Sequence, residues 1–231
     1  MSARPAKKSS SKSKKRSSQK GSRSATPRLV VRPLTLEDVE AVQALHRQVY
    51  PTMAPWSREN LANHLELFPE GQLAVELDGA LVATSSSFIV DSSSLGDNHT
   101  YRDVCANGNL VAHDPNGDML YGIDIAVKPK LRGNKLARRI YDARKEIVVR
   151  RNLRGMMFGG RMPAYHKHSE TMSAREYLAA VLRKELRDPV ITAQRANGFA
   201  VRALLPGYLP NDVESRGYAV QMEWLNPDWL P

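Results

Sequence analysis

A short basic loop at residues 130–135 contains the residue types that bind phosphate. It lies between a predicted buried strand and a predicted helix start, where unpaired N–H groups and the helix dipole favour an anion. Gly133 lets a ligand approach the backbone closely, and Arg132 and Lys135 add positive charge. The loop lacks the extra glycines of a dinucleotide fingerprint and the ending of a P-loop. By residue type alone, a phosphate-binding loop and an ordinary strand–helix turn with solvated basic residues both stay open.

Two strands and a helix position this loop. Residues 119–127 are nearly all apolar, as expected of a central strand buried on both faces. Apolar spacing predicts a helix over residues 134–151. Its predicted buried side consists of Leu136, Ile140, Ala143 and Ile147. A second strand is predicted at residues 153–158, so the unit is a right-handed crossover that joins two parallel strands.

The rest of the chain is predicted from caps, turns and short apolar runs. The polar stretch at residues 91–118 is expected to be a loop with one short strand at residues 109–111. The Asp78-Gly79 pair is the strongest short signal for a hairpin. The other expected elements are a strand at residues 29–31, helices capped by Thr35, Ser57, Ser173 and Asp188, hairpin strands at residues 73–77 and 80–89, and final strands at residues 199–205 and 218–224.

Charge divides the chain into two parts. Residues 1–28 hold ten of the 34 Lys and Arg and none of the 24 Asp and Glu, which leaves the rest of the chain with no net charge. Because residues 1–28 contain no aromatic residue and no Leu, Ile or Val, we expect a disordered basic tail. Two interpretations of this tail stay open: it binds nucleic acid weakly, or it only makes the protein more soluble.

Residues 29–231 are long enough for one well-buried domain. A single cysteine, Cys105, excludes an intrachain disulfide and a multi-cysteine zinc site, and no metal site is predicted. No apolar run approaches the ~18–20 residues needed to cross a bilayer, and the start has no apolar core of a secretory signal. We therefore expect a cytoplasmic protein without a membrane partner.

The order of these elements resembles the GNAT N-acetyltransferase superfamily. The resemblance covers essentially all of residues 28–224, and its motifs are residues 125–129 (IAVKP), 131–137 (LRGNKLA) and 197–199 (NGF). It implies an α/β fold with a mixed, mostly antiparallel sheet, a central parallel strand–helix–strand unit and helices on both faces. Residues 121–145, with Gly159-Gly160-Arg161 and Tyr165-His166-Lys167, look especially like GNAT domains found ahead of a carbon–nitrogen hydrolase. Since the chain ends at Pro231, no hydrolase domain is expected with it.

The resemblance implies that acetyl-CoA is the co-substrate. In the family, a primary amine attacks the thioester directly while both substrates are bound. The implied cofactor-binding residues are Ile125, Ala126 and Val127 for the pantetheine arm, and Arg132, Gly133, Asn134, Lys135, Leu136 and Ala137 for the pyrophosphate. Lys135 stands where the family usually has a second glycine. We expect it in the first helical turn with a negative φ, so that its N–H still serves.

The sequence matches the family's catalytic residues less fully than its cofactor-binding residues. Asp124 lies where the family commonly places a carboxylate base, although a structural, ion-paired Asp also fits. Gln194 stands where many members have a tyrosine acid, and an amide cannot protonate a thiolate. Tyr165, Tyr208 or solvent would then supply this proton. The alternative is a catalytically weak acyl-CoA-binding module, tethered by its tail to nucleic acid or a protein.

The amine acceptor is not readable from the sequence. A small molecule and a protein lysine both stay open, and a homodimer is a further expectation.

Overall fold

Seven strands form one mixed sheet in the computed structural model, which describes Met1 and residues 27–231. The sheet order is β1-β2-β3-β4-β5-β7-β6; β4 and β5 are parallel, and the other neighbouring pairs in the described chain are antiparallel. The expected fold class is therefore confirmed. The strands are β1 (Leu29–Pro33), β2 (Leu73–Leu77), β3 (Ala80–Val90), β4 (Met119–Val127), β5 (Gly155–Arg161), β6 (Ala200–Leu205) and β7 (Ala219–Leu225).

Helices cover both faces of the sheet. Adjacent residues of β2 show this, because neighbouring side chains in a strand point to opposite faces. Ala74 packs with Val42 and Leu61 of the first two helices, whereas Val75 packs with Leu136 and Ile140 of the fourth. The helices are α1 (Val39–Val49), α2 (Arg58–Leu67), α3 (Tyr101–Cys105), α4 (Leu136–Arg150), α5 (Ala174–Leu182) and α6 (Pro189–Ala196).

The local signals of the sequence are well represented. Ser57 accepts a hydrogen bond from the Asn60 N–H at the start of α2, and Ser173 does the same for Glu176 at α5. The predicted hairpin joins β2 to β3 through Asp78 and Gly79, whose φ angles are 51° and 80°. Both residues are in the left-handed region that such tight turns require.

The polar stretch after β3 departs from the prediction. The short strand expected at residues 109–111 is wrong, because Leu110 has a left-handed backbone with φ 51°. Instead, Thr100 caps α3 by accepting a hydrogen bond from the Asp103 N–H. A 3-10 turn at Ala106–Gly108 follows.

The buried side of α4 contains a charge that apolar spacing does not reveal. Arg144 is 1% exposed, whereas Ala143, expected on the buried side, is only half-buried. The buried residues of α4 are Leu136, Ile140, Tyr141, Arg144, Ile147 and Val148.

None of the helices in the described part of the chain combines the length and apolar character needed to span a bilayer. The expected disordered tail, residues 1–28, lies outside the described residues except for Met1, Pro27 and Arg28.

Candidate functional site

The two parallel strands separate after a short paired segment. Residues 119–121 of β4 pair with residues 155–157 of β5. Beyond them, β5 continues beside β7 as far as Arg161, while β4 stays beside β3 as far as Val127. The register between β3 and β4 shifts at Ser86/Ser87, which marks a bulge, and a bulge bends a strand. Residues 122–127 of β4 therefore leave one edge open toward β5.

The backbone groups on this open edge follow from strand alternation. The Lys128 N–H donates to the Val82 carbonyl on β3 over 2.9 Å. Backbone groups of every second residue of β4 thus face β3, and those of Ile125 and Val127 face the gap. Ala126 lies between them, is fully buried, and by the same alternation turns its backbone toward β3.

The loop in front of α4 presents left-handed backbone at two positions. Gly133 has φ 87° and Lys135 has φ 59°, and residues 132–135 are exposed. Lys135 is the N-cap residue of α4, so the expected negative φ in the first helical turn is wrong. Glycine adopts such a conformation without steric cost, whereas a lysine is strained there. Leu136 and Ala137 open the helix, where N–H groups have no partner within the helix.

Asp124 lies in a buried cluster of charged and polar groups. Its Oδ1 accepts a hydrogen bond from the Ser86 N–H over 2.6 Å, and its Oδ2 lies 3.2 Å from His46 Nε2. The Arg144 guanidinium donates to the carbonyl oxygens of Ser86 and Asp124, both over 2.7 Å. Burial raises the pKa of Asp124, but His46, Arg144 and the Ser86 N–H outweigh it and hold this pKa below its ordinary value.

The two tyrosines expected to act as acids, Tyr165 and Tyr208, are both packed inside the protein. Tyr208 is buried, its ring lies against Gly159 of β5, and its hydroxyl is 2.9 Å from that of Tyr121. Tyr165 is also buried, and its hydroxyl donates to the Met172 carbonyl over 3.1 Å. The structure therefore places Tyr208 near the apex of the gap, where Tyr121 ends the β4–β5 pairing.

Gln194 is buried beside Gly160 of β5. A Cβ at Gly160 would lie 2.3 Å from the Gln194 side-chain oxygen, which has no hydrogen-bond partner among the described residues. The amide thus fills the space next to the second parallel strand.

Sequence reasoning missed two residues near the end of α1. His46 contacts Asp124, and the hydroxyl of Tyr50 donates to the Ile125 carbonyl over 2.9 Å. The two residues are four apart, a spacing that places side chains on the same side of a helix. This spacing was the only available signal.

Among Met1 and residues 27–231, no group of three His, Cys, Asp or Glu side chains is arranged to hold a metal ion.

Two curated proteins of Bacillus subtilis (strain 168) are similar to this chain, although no model of a known protein family matches it. YkwB, described as an uncharacterized N-acetyltransferase, is 31% identical over 202 residues, which cover 86% of this chain and 89% of YkwB. The chain belongs to the GNAT N-acetyltransferase superfamily. YhcX, described as a probable hydrolase, is 41% identical over 204 residues, which cover 88% of this chain and 40% of YhcX.

Solved structures share the GNAT fold. The loading GNATL domain of CurA from Lyngbya majuscula is similar with a TM-score of 0.75 and 22% identity, over 86% of this chain and 98% of that domain. The GNAT-like decarboxylase GphF, in complex with isobutyryl-CoA, is similar with a TM-score of 0.72 and 20% identity, over 85% of this chain and 99% of the GphF chain. A putative acetyltransferase, yncA of Salmonella typhimurium, with its cofactor acetyl-CoA, is similar with a TM-score of 0.52 and 14% identity, over 88% of this chain and 96% of the yncA chain.

YhcX is described as a probable hydrolase, and that description does not state which kind of bond it hydrolyses. The special resemblance to domains found ahead of carbon–nitrogen hydrolases therefore stays a prediction.

Proposed function

We propose that this protein transfers the acetyl group of acetyl-CoA to a primary amine, with both substrates bound together. The observation that carries the proposal is the open edge of β4, which leads directly into the basic loop before α4. GNAT membership supports it. Complexes of yncA with acetyl-CoA and of GphF with isobutyryl-CoA support a CoA ester in particular.

The residues of the site fit such a co-substrate. The backbone of Ile125 and Val127 offers donors and acceptors to an amide-containing arm along the gap. Residues 132–135 offer a positive, exposed turn to a pyrophosphate, and Leu136 and Ala137 add the N–H groups of the helix start. A Cβ at Gly133 would meet no atom within 4 Å, so this side of the turn is open for a ligand. When bound, the CoA ester supplies the activated acyl group, and these residues hold it in place.

Asp124 is the proposed base, acting with His46. The low pKa of Asp124 keeps its carboxylate ionised, so it can hold His46 in place and accept the amine proton with that partner or through water. A cavity of about 10 Å³ is bordered by His46, Trp56 and Asp124 among others, which is room for one water. Trp56 Nε1 is buried and has no hydrogen-bond partner among the described residues, so it is available to such a water.

Tyr208 is the better placed of the two tyrosines expected to act as acid. Its hydroxyl lies beside Tyr121, at the apex of the gap. Tyr165 stays a weaker proposal, since its hydroxyl is bound to the Met172 carbonyl.

Thiol release from acetyl-CoA across a panel of amines tests the proposed function. We expect release that requires an amine, together with a mass increase of one acetyl group on that amine. Release at the same rate without any amine would contradict transfer. Small-molecule amines and lysine-containing peptides belong in the same panel, because the acceptor class is itself a proposal.

A second candidate is decarboxylation of a carboxylated acyl-CoA. The specific observation is the higher similarity to the GNAT-like decarboxylase GphF, with a TM-score of 0.72 against 0.52 for yncA. Malonyl-CoA distinguishes the candidates, because a decarboxylase converts it to acetyl-CoA and carbon dioxide without an amine. Binding of CoA with neither reaction would favour the acyl-CoA-binding module. Tail binding to nucleic acid, a homodimer and a cytoplasmic location stay predictions.

A further inference from the structure

Tyr50 places a hydroxyl in the gap between β4 and β5. It follows the last residue of α1, and its backbone N–H donates to the His46 carbonyl over 2.7 Å. Its ring packs edge-on against the His46 ring, with centroids 5.9 Å apart. Its hydroxyl donates to the Ile125 carbonyl over 2.9 Å. The end of α1 thus closes over the open edge of β4 at the level of Asp124.

This hydrogen bond conflicts with the binding of an acyl-CoA. The Ile125 carbonyl is one of the acceptors that the proposed function offers to the pantetheine arm. A donor nitrogen of that arm would need to lie about 2.9 Å from the same oxygen. The Tyr50 hydroxyl already lies at this distance. A carbonyl oxygen can accept two hydrogen bonds, but the hydroxyl and the arm would both approach this one from the gap, so we expect the hydroxyl to move when the arm enters.

The displaced hydroxyl is a suitable donor for the reacting end of the acyl-CoA. Burial and the nearby Asp124 charge raise the pKa of Tyr50, so the hydroxyl stays protonated and donates. The hydroxyls of Tyr165 and Tyr208 are engaged with Met172 and Tyr121. Gln194 offers only an amide at the position where the family usually has its tyrosine.

We propose that Tyr50 holds the Ile125 carbonyl when no co-substrate is bound, yields this acceptor to the pantetheine arm, and donates a hydrogen bond to the sulfur that leaves. This inference rests on the proposed function. As the amine nitrogen bonds to the acyl carbon, the carbon–sulfur bond breaks and its electron pair stays on sulfur. The Tyr50 hydroxyl stabilises this charge. The amine proton passes to Asp124 and His46, and the proton that finally neutralises the sulfur returns through solvent.

Binding of two ligands to two proteins separates the two proposed roles of Tyr50, namely competition for the Ile125 carbonyl and the hydrogen bond to sulfur. The ligands are CoA and desulfo-CoA, in which hydrogen replaces the thiol, and the proteins are the parent and Tyr50→Phe. Calorimetry at about pH 8.5, the ordinary pKa of a cysteine thiol, leaves a fraction of the CoA thiol ionised. Competition for Ile125 affects both ligands equally, whereas the sulfur contact affects CoA alone.

We expect the parent to bind CoA about tenfold more tightly than desulfo-CoA, because a hydrogen bond to a charged sulfur is lost with the latter. In Tyr50→Phe, this ratio should fall close to one. Desulfo-CoA should bind Tyr50→Phe about three- to tenfold more tightly than the parent, since its competitor is gone. A merely structural hydroxyl predicts the opposite, namely weaker binding of both ligands.

Tyr218→Phe is the matched control. Tyr218 precedes β7 and packs edge-on against Tyr165, with no hydrogen bond to β4 among the described contacts, so the variant should behave as the parent. An unchanged ligand ratio in Tyr50→Phe, or weaker binding of desulfo-CoA, would overturn the role of Tyr50 while leaving CoA binding intact. Failure of the parent to bind either ligand would overturn the proposed function and this inference together.

A spectroscopic measurement does not depend on how well Tyr50→Phe folds. Addition of CoA to the parent should perturb the tyrosine ultraviolet band, because the Tyr50 hydroxyl changes its partner. Tyr218→Phe should show the same perturbation. An unperturbed band in a parent that binds CoA would also overturn the inference.

Discussion

The two ends of the β4 gap differ in how they are built. At the end of the gap beside α1, only 9% of the Asp124 side chain is exposed, and Ser86 and His46 bind it. In front of α4, Gly133 and Lys135 are exposed and owe their shape to left-handed backbone. Charge interactions are strong when buried and weak when solvent screens them. The first region should therefore govern turnover and acid stability, whereas the second should govern CoA affinity.

Replacement of Asp124 should have the largest effect. Asp124→Asn keeps the shape of the side chain but removes its charge and its capacity to accept a proton. We expect turnover to fall about 10²-fold or more, while the CoA dissociation constant stays within about twofold. Steady-state rates and calorimetry measure the two quantities.

Asp118→Asn is the matched control, because Asp118 is also ion-paired, to Arg154, but lies before β4 and outside the gap. Its turnover should match that of the parent. Unchanged turnover in Asp124→Asn would make Asp124 a structural residue and remove the contrast between the two regions.

Charge reversal in the loop should weaken binding without changing the chemistry. Lys135→Glu removes a charge-assisted contact to phosphate and adds repulsion, so CoA affinity should fall about five- to a hundredfold. Calorimetric titration with CoA measures this change. Lys184 is an exposed lysine that also has a left-handed backbone, with φ 65°, so Lys184→Glu is the matched control.

Gly133→Val tests the same loop through its backbone, because valine is strained at φ 87° and would stand where the ligand approaches. If Gly133→Val and Lys135→Glu both bind CoA like the parent, the phosphate-binding site lies elsewhere.

Acid should destabilise the protein partly through Asp124. The folded pKa of Asp124 lies below its ordinary value of 3.8, so its contribution to stability is present above that value. The contribution is lost as the pH falls through the folded pKa. We expect the thermal midpoint to fall less steeply below about pH 4 in Asp124→Asn than in the parent. Equal slopes would show that Asp124 gains nothing from its buried partners.

Glycine at position 135 should give the smallest effect, an increase in stability. A left-handed backbone costs a non-glycine residue roughly 1–2 kcal/mol. Glycine loses about 0.4–1 kcal/mol more in unfolded-chain entropy. We therefore expect Lys135→Gly to raise the free energy of unfolding by about 0.5 kcal/mol, measured in urea.

Lys184→Gly should give a similar gain in stability, since its backbone is equally left-handed. Only Lys135→Gly should also weaken CoA binding, and by less than Lys135→Glu does. A loss of stability in Lys135→Gly would mean that the lysine side chain supports the loop in the absence of a ligand.

The sequence by itself determined the elements whose signals are local. Ser57 and Ser173 cap helices, Asp78 and Gly79 form the hairpin turn, and the apolar run of β4 forms the buried strand. Such signals suffice because each depends on residues a few positions apart. The loop around Gly133 was readable for the same reason, since a glycine between a strand and a helix marks the turn directly.

The tertiary structure alone decided which groups meet in the gap. Tyr50 reaches Ile125 across 75 residues of chain, and Arg144 reaches Ser86 across 58. No local pattern encodes such contacts. The buried Arg144 donates to two carbonyl oxygens beside the bulge between β3 and β4, and Lys135 has a left-handed backbone at the start of α4. These features follow from strand pairing and helix packing, which arise from the whole chain together.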